Sequence, residues 1–161
     1  MKKRIVVYYS FEGNTREAAL QIKEMLGADI VEINTEKEIP KNSTKKFMIG
    51  GMQATFKICP KIKNVDIEFE KYDEIVLGTP IWAGKCTPAI NSFLKIKSIK
   101  EKVTAVFTCS GGGDNDKCMT DFKKRLPNLK YSVALADKNN ALSKENEKHI
   151  HSFVEEIIHG K

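Results

Sequence analysis

The apolar run Ile5-Val6-Val7-Tyr8-Tyr9 passes directly into Ser10-Phe11-Glu12-Gly13-Asn14-Thr15, and a helical pattern begins at once. Five consecutive apolar residues fit a strand covered on both faces. Ala18, Ala19, Ile22, Met25 and Leu26 then recur at helical spacing until Gly27 stops the pattern. Such an opening commits the chain to a strand–turn–helix unit. Its turn points backbone N–H groups at the positive end of a helix, which favours a phosphate. The spacing matches neither the triphosphate P-loop nor GxGxxG, so a nucleoside triphosphate or dinucleotide is not the first expectation. Taken alone, the same residues also make a tight turn with a helix cap.

Strand and helix patterns alternate along the rest of the chain. Asp29 to Asn34 reads as a short strand, and Ile75-Val76-Leu77 as a second buried run ending at Gly78-Thr79-Pro80. Thr87-Pro88 starts a helix with a hydroxyl cap and a proline at its first position, followed by Ile90, Phe93 and Leu94. Val103 to Thr108 is a third buried strand. Asp114-Asn115-Asp116 can cap a helix carrying Cys118, Met119, Phe122 and Leu126 up to Pro127. Tyr131 to Ala136 is the last strand, and a final helix from near Ser143 buries Ile150, Phe153, Val154, Ile157 and Ile158. This alternation predicts an α/β fold: a parallel sheet with helices on both faces, joined by right-handed crossovers. The length fits a single domain over residues 1–161. Pro40 to Asn64 is the weak stretch. Phe47, Met48, Met52 and Phe56 could share a helical face, but Gly50-Gly51 interrupts it at about 0.5–1 kcal/mol each, so a frayed or broken helix is expected.

The net charge of +6 raises the question of nucleic acid, but the lysines are scattered and no basic stripe is interleaved with aromatics. No nucleic-acid partner is expected. No apolar run approaches the roughly 20 residues of a membrane span. Met1-Lys2-Lys3-Arg4 leads into too few apolar residues for a signal peptide. Cys59, Cys86, Cys109 and Cys118 stand far apart, with no CxxC pair and no neighbouring histidine. That argues against a metal site or disulfide framework and for reduced thiols in a cytoplasm. Cys86 and Cys109 read as small buried fillers. His149, His151 and His159 all fall in the last helix as surface residues, and no Ser-His-Asp or Cys-His arrangement offers a catalytic side chain.

In a parallel sheet the loops that come after the strands emerge at one end. Besides Ser10 to Thr15, two more have unusual chemistry. Gly78-Thr79-Pro80-Ile81-Trp82-Ala83-Gly84 holds the one tryptophan, which lies outside any periodic apolar stripe. An indole there either packs or covers a flat ligand. Ser110-Gly111-Gly112-Gly113 is entropically costly, so it either needs close backbone approach or positive φ, or is a flexible connector. Together the three supply an anion cradle, an aromatic plate and bare backbone donors, which suit a phosphorylated planar heterocycle.

These motifs resemble those of the flavodoxin family, short-chain type, over essentially the whole chain. The resemblance implies a flavodoxin-like three-layer sandwich, a five-stranded parallel sheet in order 2-1-3-4-5, and FMN at the switch point between the first and third strands. It places the FMN phosphate on Ser10, Phe11, Glu12, Gly13, Asn14 and Thr15, with Glu12 lending only its amide. Thr79, Pro80, Ile81, Trp82, Ala83 and Gly84 would line the ring, with a carbonyl of the Ala83-Gly84 region facing N5–H of the reduced flavin. Ser110, Gly111, Gly112 and Gly113 would donate to the pyrimidine edge. The third loop has no aromatic, so one flavin face is expected to be open or covered by the Met52 region or a partner. The basic chain should also make flavin reduction easier than in acidic flavodoxins.

Three functions are compatible with these features. The first is an FMN-binding flavodoxin-type redox protein working with a reductase and an acceptor. The second is an NAD(P)H-dependent FMN or quinone oxidoreductase, with Lys85, Lys117 or Lys138 contacting the anionic donor. The third is a flavin-free binding module. The oligomeric state is left open.

Overall fold

The computed structural model describes residues 1–37, 58–63 and 66–160. In chain order the elements are β1 (Arg4–Tyr8), α1 (Asn14–Leu26), β2 (Asp29–Glu32), β3 (Asn34–Thr35), β4 (Ile62–Lys63), β5 (Glu74–Trp82), β6 (Lys85–Cys86), α2 (Pro88–Phe93), α3 (Ile99–Lys102), β7 (Val103–Ser110), α4 (Asp116–Arg125), β8 (Tyr131–Ala136) and α5 (Asn146–His159). Five strands pair in parallel in the order β2-β1-β5-β7-β8. Numbered within that sheet alone, this is the expected 2-1-3-4-5.

The unbroken apolar run of β1 makes sense in the interior of this sheet. Successive residues point to opposite faces, so Ile5, Val7 and Tyr9 join one core cluster while Val6 and Tyr8 join the other. The first cluster is completed by Ile90, Phe93, Ile99 and Phe122 of α2, α3 and α4. The second takes Ala19 and Ile22 of α1 and Phe153 and Val154 of α5. Helices on both faces of one sheet give three layers.

Several boundaries differ from the sequence reading. Gly78 to Trp82 continues β5 rather than forming a loop. β7 stays alongside it through the pairs Gly78↔Phe107, Thr79↔Thr108 and Pro80↔Cys109. A proline is tolerated there because the β1 ladder has ended at Gly78, which leaves Pro80 beyond the pairing on that side. The expected strand Asp29–Asn34 stops at Glu32. Asn34 and Thr35 pair antiparallel with Ile62 and Lys63 in a separate two-stranded sheet. The Thr87 hydroxyl does not cap α2; it lies 3.3 Å from the buried Thr79 hydroxyl instead. The last helix starts at Asn146, after a 3-10 turn over Ala141–Glu145 in which Asn140 Oδ1 accepts the Leu142 N–H at 2.9 Å. Most of Pro40–Asn64, including Phe47, Met48, Gly50, Gly51, Met52 and Phe56, lies outside the described residues. So does any covering of a flavin face by Met52.

At the amino-terminal end of the central strand β5, Glu74 receives Lys2 Nζ at 2.7 Å and Arg4 Nε at 2.8 Å. Burial alone would raise its pKa, but the hydrogen bonds from Lys2 and Arg4 outweigh it, and the carboxyl titrates below its ordinary value of 4.5. A depressed folded pKa adds stability that is fully present above the unfolded carboxylate value and fades as the pH falls through the folded one. Glu74→Gln is therefore expected to cost about 2 kcal/mol at neutral pH. In urea titrations its gap from the parent protein should narrow as the pH drops below 4.5.

Candidate functional site

The carboxyl ends of β1, β5, β7 and β8 open onto one cavity of about 280 Å³. It is lined by Phe11, Glu12, Asn14, Thr15, Pro80, Ile81, Trp82, Cys109, Ser110, Gly111 and Asp137. Its volume is near the lower end of ligand sites, about 300–1,000 Å³. The cavity lies beside the junction of β1 and β5, where the strand order reverses direction.

The first wall is the turn into α1. Ser10 Oγ sits inside it and accepts the Gly13 N–H at 3.2 Å and the Arg16 N–H at 3.3 Å. Gly13 takes φ +100° as the residue before the helix. A side chain there would be strained by about 1–2 kcal/mol. The first intrahelical bond runs from Glu17 N–H to Gly13 O at 3.0 Å. The amides of Asn14 and Thr15 thus precede any carbonyl the helix could offer them. Arg16, the first-turn cation, is turned aside into a fork on Glu32, with Nη2 at 2.7 and 2.9 Å from the carboxylate oxygens. The turn therefore offers neutral donors and a helix dipole rather than a cation.

The second wall is a two-residue hairpin between β5 and β6, with Ile81↔Cys86 and Trp82↔Lys85 in register. Both turn residues have positive φ, Ala83 at 50° and Gly84 at 74°, as a type I′ turn requires. Trp82 is held edge-on by Tyr9 (5.9 Å between centroids, 89°) and by Phe11 (5.7 Å, 84°). The indole leans on the core cluster and also lines the cavity.

The third wall is the turn after β7. Ser110 O accepts the N–H of Gly113 at 3.3 Å and of Asp137 at 2.8 Å, while Ser110 Oγ donates to Asp114 O at 3.1 Å. Within Ser110–Gly113 the expected positive φ occurs only at Gly113, at +78°. A Cβ at Gly111 or Gly112 would meet no protein atom within 4 Å.

Of the residues singled out in the sequence, Ser10, Gly13, Thr79, Ala83, Gly84, Gly112 and Gly113 do not line the cavity. Ser10 and Gly13 shape the first turn, and Ala83 and Gly84 the hairpin. Thr79 is fully buried, with its hydroxyl accepting the Thr87 N–H at 3.1 Å. Sequence reasoning misses two lining residues. Cys109 is the buried residue its sequence position suggests, but it also forms part of the wall. Burial pushes its thiol pKa up to about 12, a shift only partly offset by a hydrogen bond from Thr15, so it stays protonated. Asp137 is the first polar residue after β8, and its position just past a strand end is the signal that could have found it. Asp137 and Glu12 are the two acidic residues of the lining, and no Lys, Arg or His among the described residues joins them. The net charge of +6 does not extend into the cavity.

Among the described residues no helix is long and apolar enough to cross a membrane, and no cluster of His, Cys, Asp and Glu could hold a metal ion. No curated protein sequence matches the chain. Solved structures do. A Bacteroides eggerthii protein described as a flavoprotein is 25% identical with a TM-score of 0.74, covering 95% of this chain and 98% of that one. A Lactobacillus acidophilus flavoprotein in complex with FMN is 24% identical with a TM-score of 0.68, covering 92% and 99%. Flavodoxin 2 from Bacillus cereus is 22% identical with a TM-score of 0.53, covering 96% and 99%. A family model described as flavodoxin matches residues 3–157. That match spans nearly the whole sequence, and the chain belongs to the flavodoxin family.

Proposed function

We propose that this chain is a flavodoxin-type redox protein that holds FMN non-covalently and passes electrons through it. The observation that carries the reading is the convergence of the α1 turn, the Trp82 wall and the Ser110–Gly111 turn on one cavity where the strand order reverses. The residues fit the group. Neutral amides at a helix start suit a phosphate, an indole wall suits a flat ring, and glycines without Cβ contacts leave backbone within a ligand's reach.

FMN supplies the electron chemistry when bound. The chain's own residues bind and orient. Ser10 fixes the first turn by accepting the Gly13 N–H, so that the amides of Glu12, Asn14 and Thr15 receive the phosphate. Phe11 braces Trp82. Pro80, Ile81 and Trp82 form the apolar wall for the ring, and the Ala83–Gly84 hairpin sets how far that wall reaches. Ser110 and Gly111 present main chain to the polar ring edge, with Gly112 and Gly113 completing their turn. Thr79 acts from behind by holding Thr87.

The protein is expected to purify yellow or to take up one FMN on addition. Under anaerobic conditions NADPH alone should leave the flavin absorbance unchanged, whereas NADPH with a separate flavodoxin reductase should bleach it. A colourless protein that takes up no FMN would overturn the reading. Fast bleaching by NADPH alone would make the chain an NAD(P)H-dependent flavin or quinone reductase instead.

A further inference from the structure

We propose that Cys86 and Cys118 form an oxidisable dithiol, a modification site behind the Trp82 wall that takes hydrogen peroxide as its oxidant. Both are free thiols, 2% and 1% exposed, in one core cluster. Three contacts bring them together. A Cβ added at Gly84 would lie 3.5 Å from Lys117 Cβ, so the hairpin turn rests on the first turn of α4. Cys86 follows shortly after Gly84, and Cys118 directly after Lys117. The Cys118 sulfur takes a hydrogen bond from the Cys86 main chain. Arg125, two turns along the same face of α4, brings Nη1 to 3.9 Å from Cys86 Sγ. One stripe of α4 thus covers Cys86. The amide and the sulfur of a cysteine are separated only by Cα and Cβ. Rotation about χ1 of Cys86 therefore swings its sulfur toward the one already resting on its main chain.

The two sulfurs differ in their surroundings. Cys86 donates its S–H to Asn91 Oδ1 at 3.3 Å and receives Arg125 Nη1, so its proton has an acceptor and its thiolate a cation. The same guanidinium is held by Asp121 at 2.7 Å and is 21% exposed, which fixes it against the sulfur. Burial pushes the Cys118 thiol above its ordinary value of 9.0, and the charges of Cys86 and Asp121 add to the shift. Cys86 is therefore the attacking thiol and Cys118 the resolving one.

The step balances without the flavin. The Cys86 thiolate attacks one oxygen of the peroxide and the O–O bond breaks. The departing hydroxide takes up the thiol proton and leaves as water, and Cys86 is then a sulfenic acid. The Cys118 sulfur attacks the Cys86 sulfur: an S–S bond forms, the S–O bond breaks, and the hydroxide carries off the Cys118 proton as a second water. Two thiols are oxidised and one peroxide is reduced. The new bond joins β6 to α4 and so ties down the hairpin that carries Trp82 on its other strand.

The test exposes the reduced protein to hydrogen peroxide, removes the excess with catalase and alkylates with N-ethylmaleimide in urea. Of the four cysteines, Cys86 and Cys118 should escape alkylation and their peptides should be joined. Cys109 should react in full, and dithiothreitol should restore the other two. C118S should stop at a Cys86 sulfenic acid, which dimedone captures, whereas C86S should give neither a crosslink nor a dimedone adduct at Cys118. R125M should slow Cys86 oxidation about tenfold, and R125K, which keeps the cation, should recover most of the rate. The crosslinked chain should unfold at a higher urea concentration than the reduced one. Full alkylation of Cys86 and Cys118 after peroxide would overturn the dithiol, as would a disulfide from either to Cys59 or Cys109. The peptide map of the parent decides this without any variant, and it reads the same way whether or not the chain holds FMN.

Discussion

Riboflavin, which lacks the phosphate, is expected to bind at least a hundredfold more weakly than FMN. The difference originates in the α1 turn. The Asn14 and Thr15 amides have no helix carbonyl to bond, and positive φ at Gly13 shapes the backbone leading into them. A hydrogen bond to a charged group contributes about 1.5–3 kcal/mol. Two of them lost give at least about 3 kcal/mol, or two decades in Kd at about 1.4 kcal/mol each. Among the described residues no Lys, Arg or His lines the cavity, and Glu32 holds the Arg16 guanidinium at 2.7 Å. FMN affinity should consequently vary little with ionic strength, unlike that of a lysine- or arginine-lined site. Fluorescence titration of the apoprotein with each flavin checks both statements. Equal affinities would mean that the phosphate does not lie in this turn.

Much of this site is legible in the sequence, for identifiable reasons. Ile5-Val6-Val7-Tyr8-Tyr9 fits a strand buried on both faces, and the loops after such strands in an alternating chain emerge at one end of the sheet. Convergence of the Ser10, Trp82 and Ser110 segments is therefore readable from order alone. How far each strand runs is not. Pro80 in sequence signals a break, yet β5 continues past it because β7 pairs with it as far as Cys109. That is a tertiary fact with no local trace. The same extension puts Ala83 and Gly84 in a two-residue hairpin instead of a floppy loop. Thr87 shows another limit: a hydroxyl before a proline looks like a cap, but a buried partner across the chain, Thr79, competes for it. Charge is the least legible of all. A net +6 says nothing about where Glu12 and Asp137 will stand.

Gly78→Ala is expected to lower stability by about 3 kcal/mol. Gly78 has ordinary φ, so backbone conformation does not require a glycine there. The requirement comes from Phe107, its partner across the β5–β7 ladder, whose ring already occupies the space a Cβ would take. Phe107 is fully buried and belongs to the core cluster formed with α1 and α5. A close-packed interior leaves the ring no empty rotamer to enter, so strand or helix must shift. For a chain of this size the penalty corresponds to a fall in Tm of about 6–12 °C. Gly111→Ala is the matched control: its Cβ would meet no protein atom within 4 Å and its φ is not positive, so stability should change by less than about 0.5 kcal/mol. Urea denaturation of the two apoproteins separates the cases. If Gly78→Ala unfolds with the parent protein, the Phe107 ring is free to move, and the layer beneath the site is looser than close packing allows.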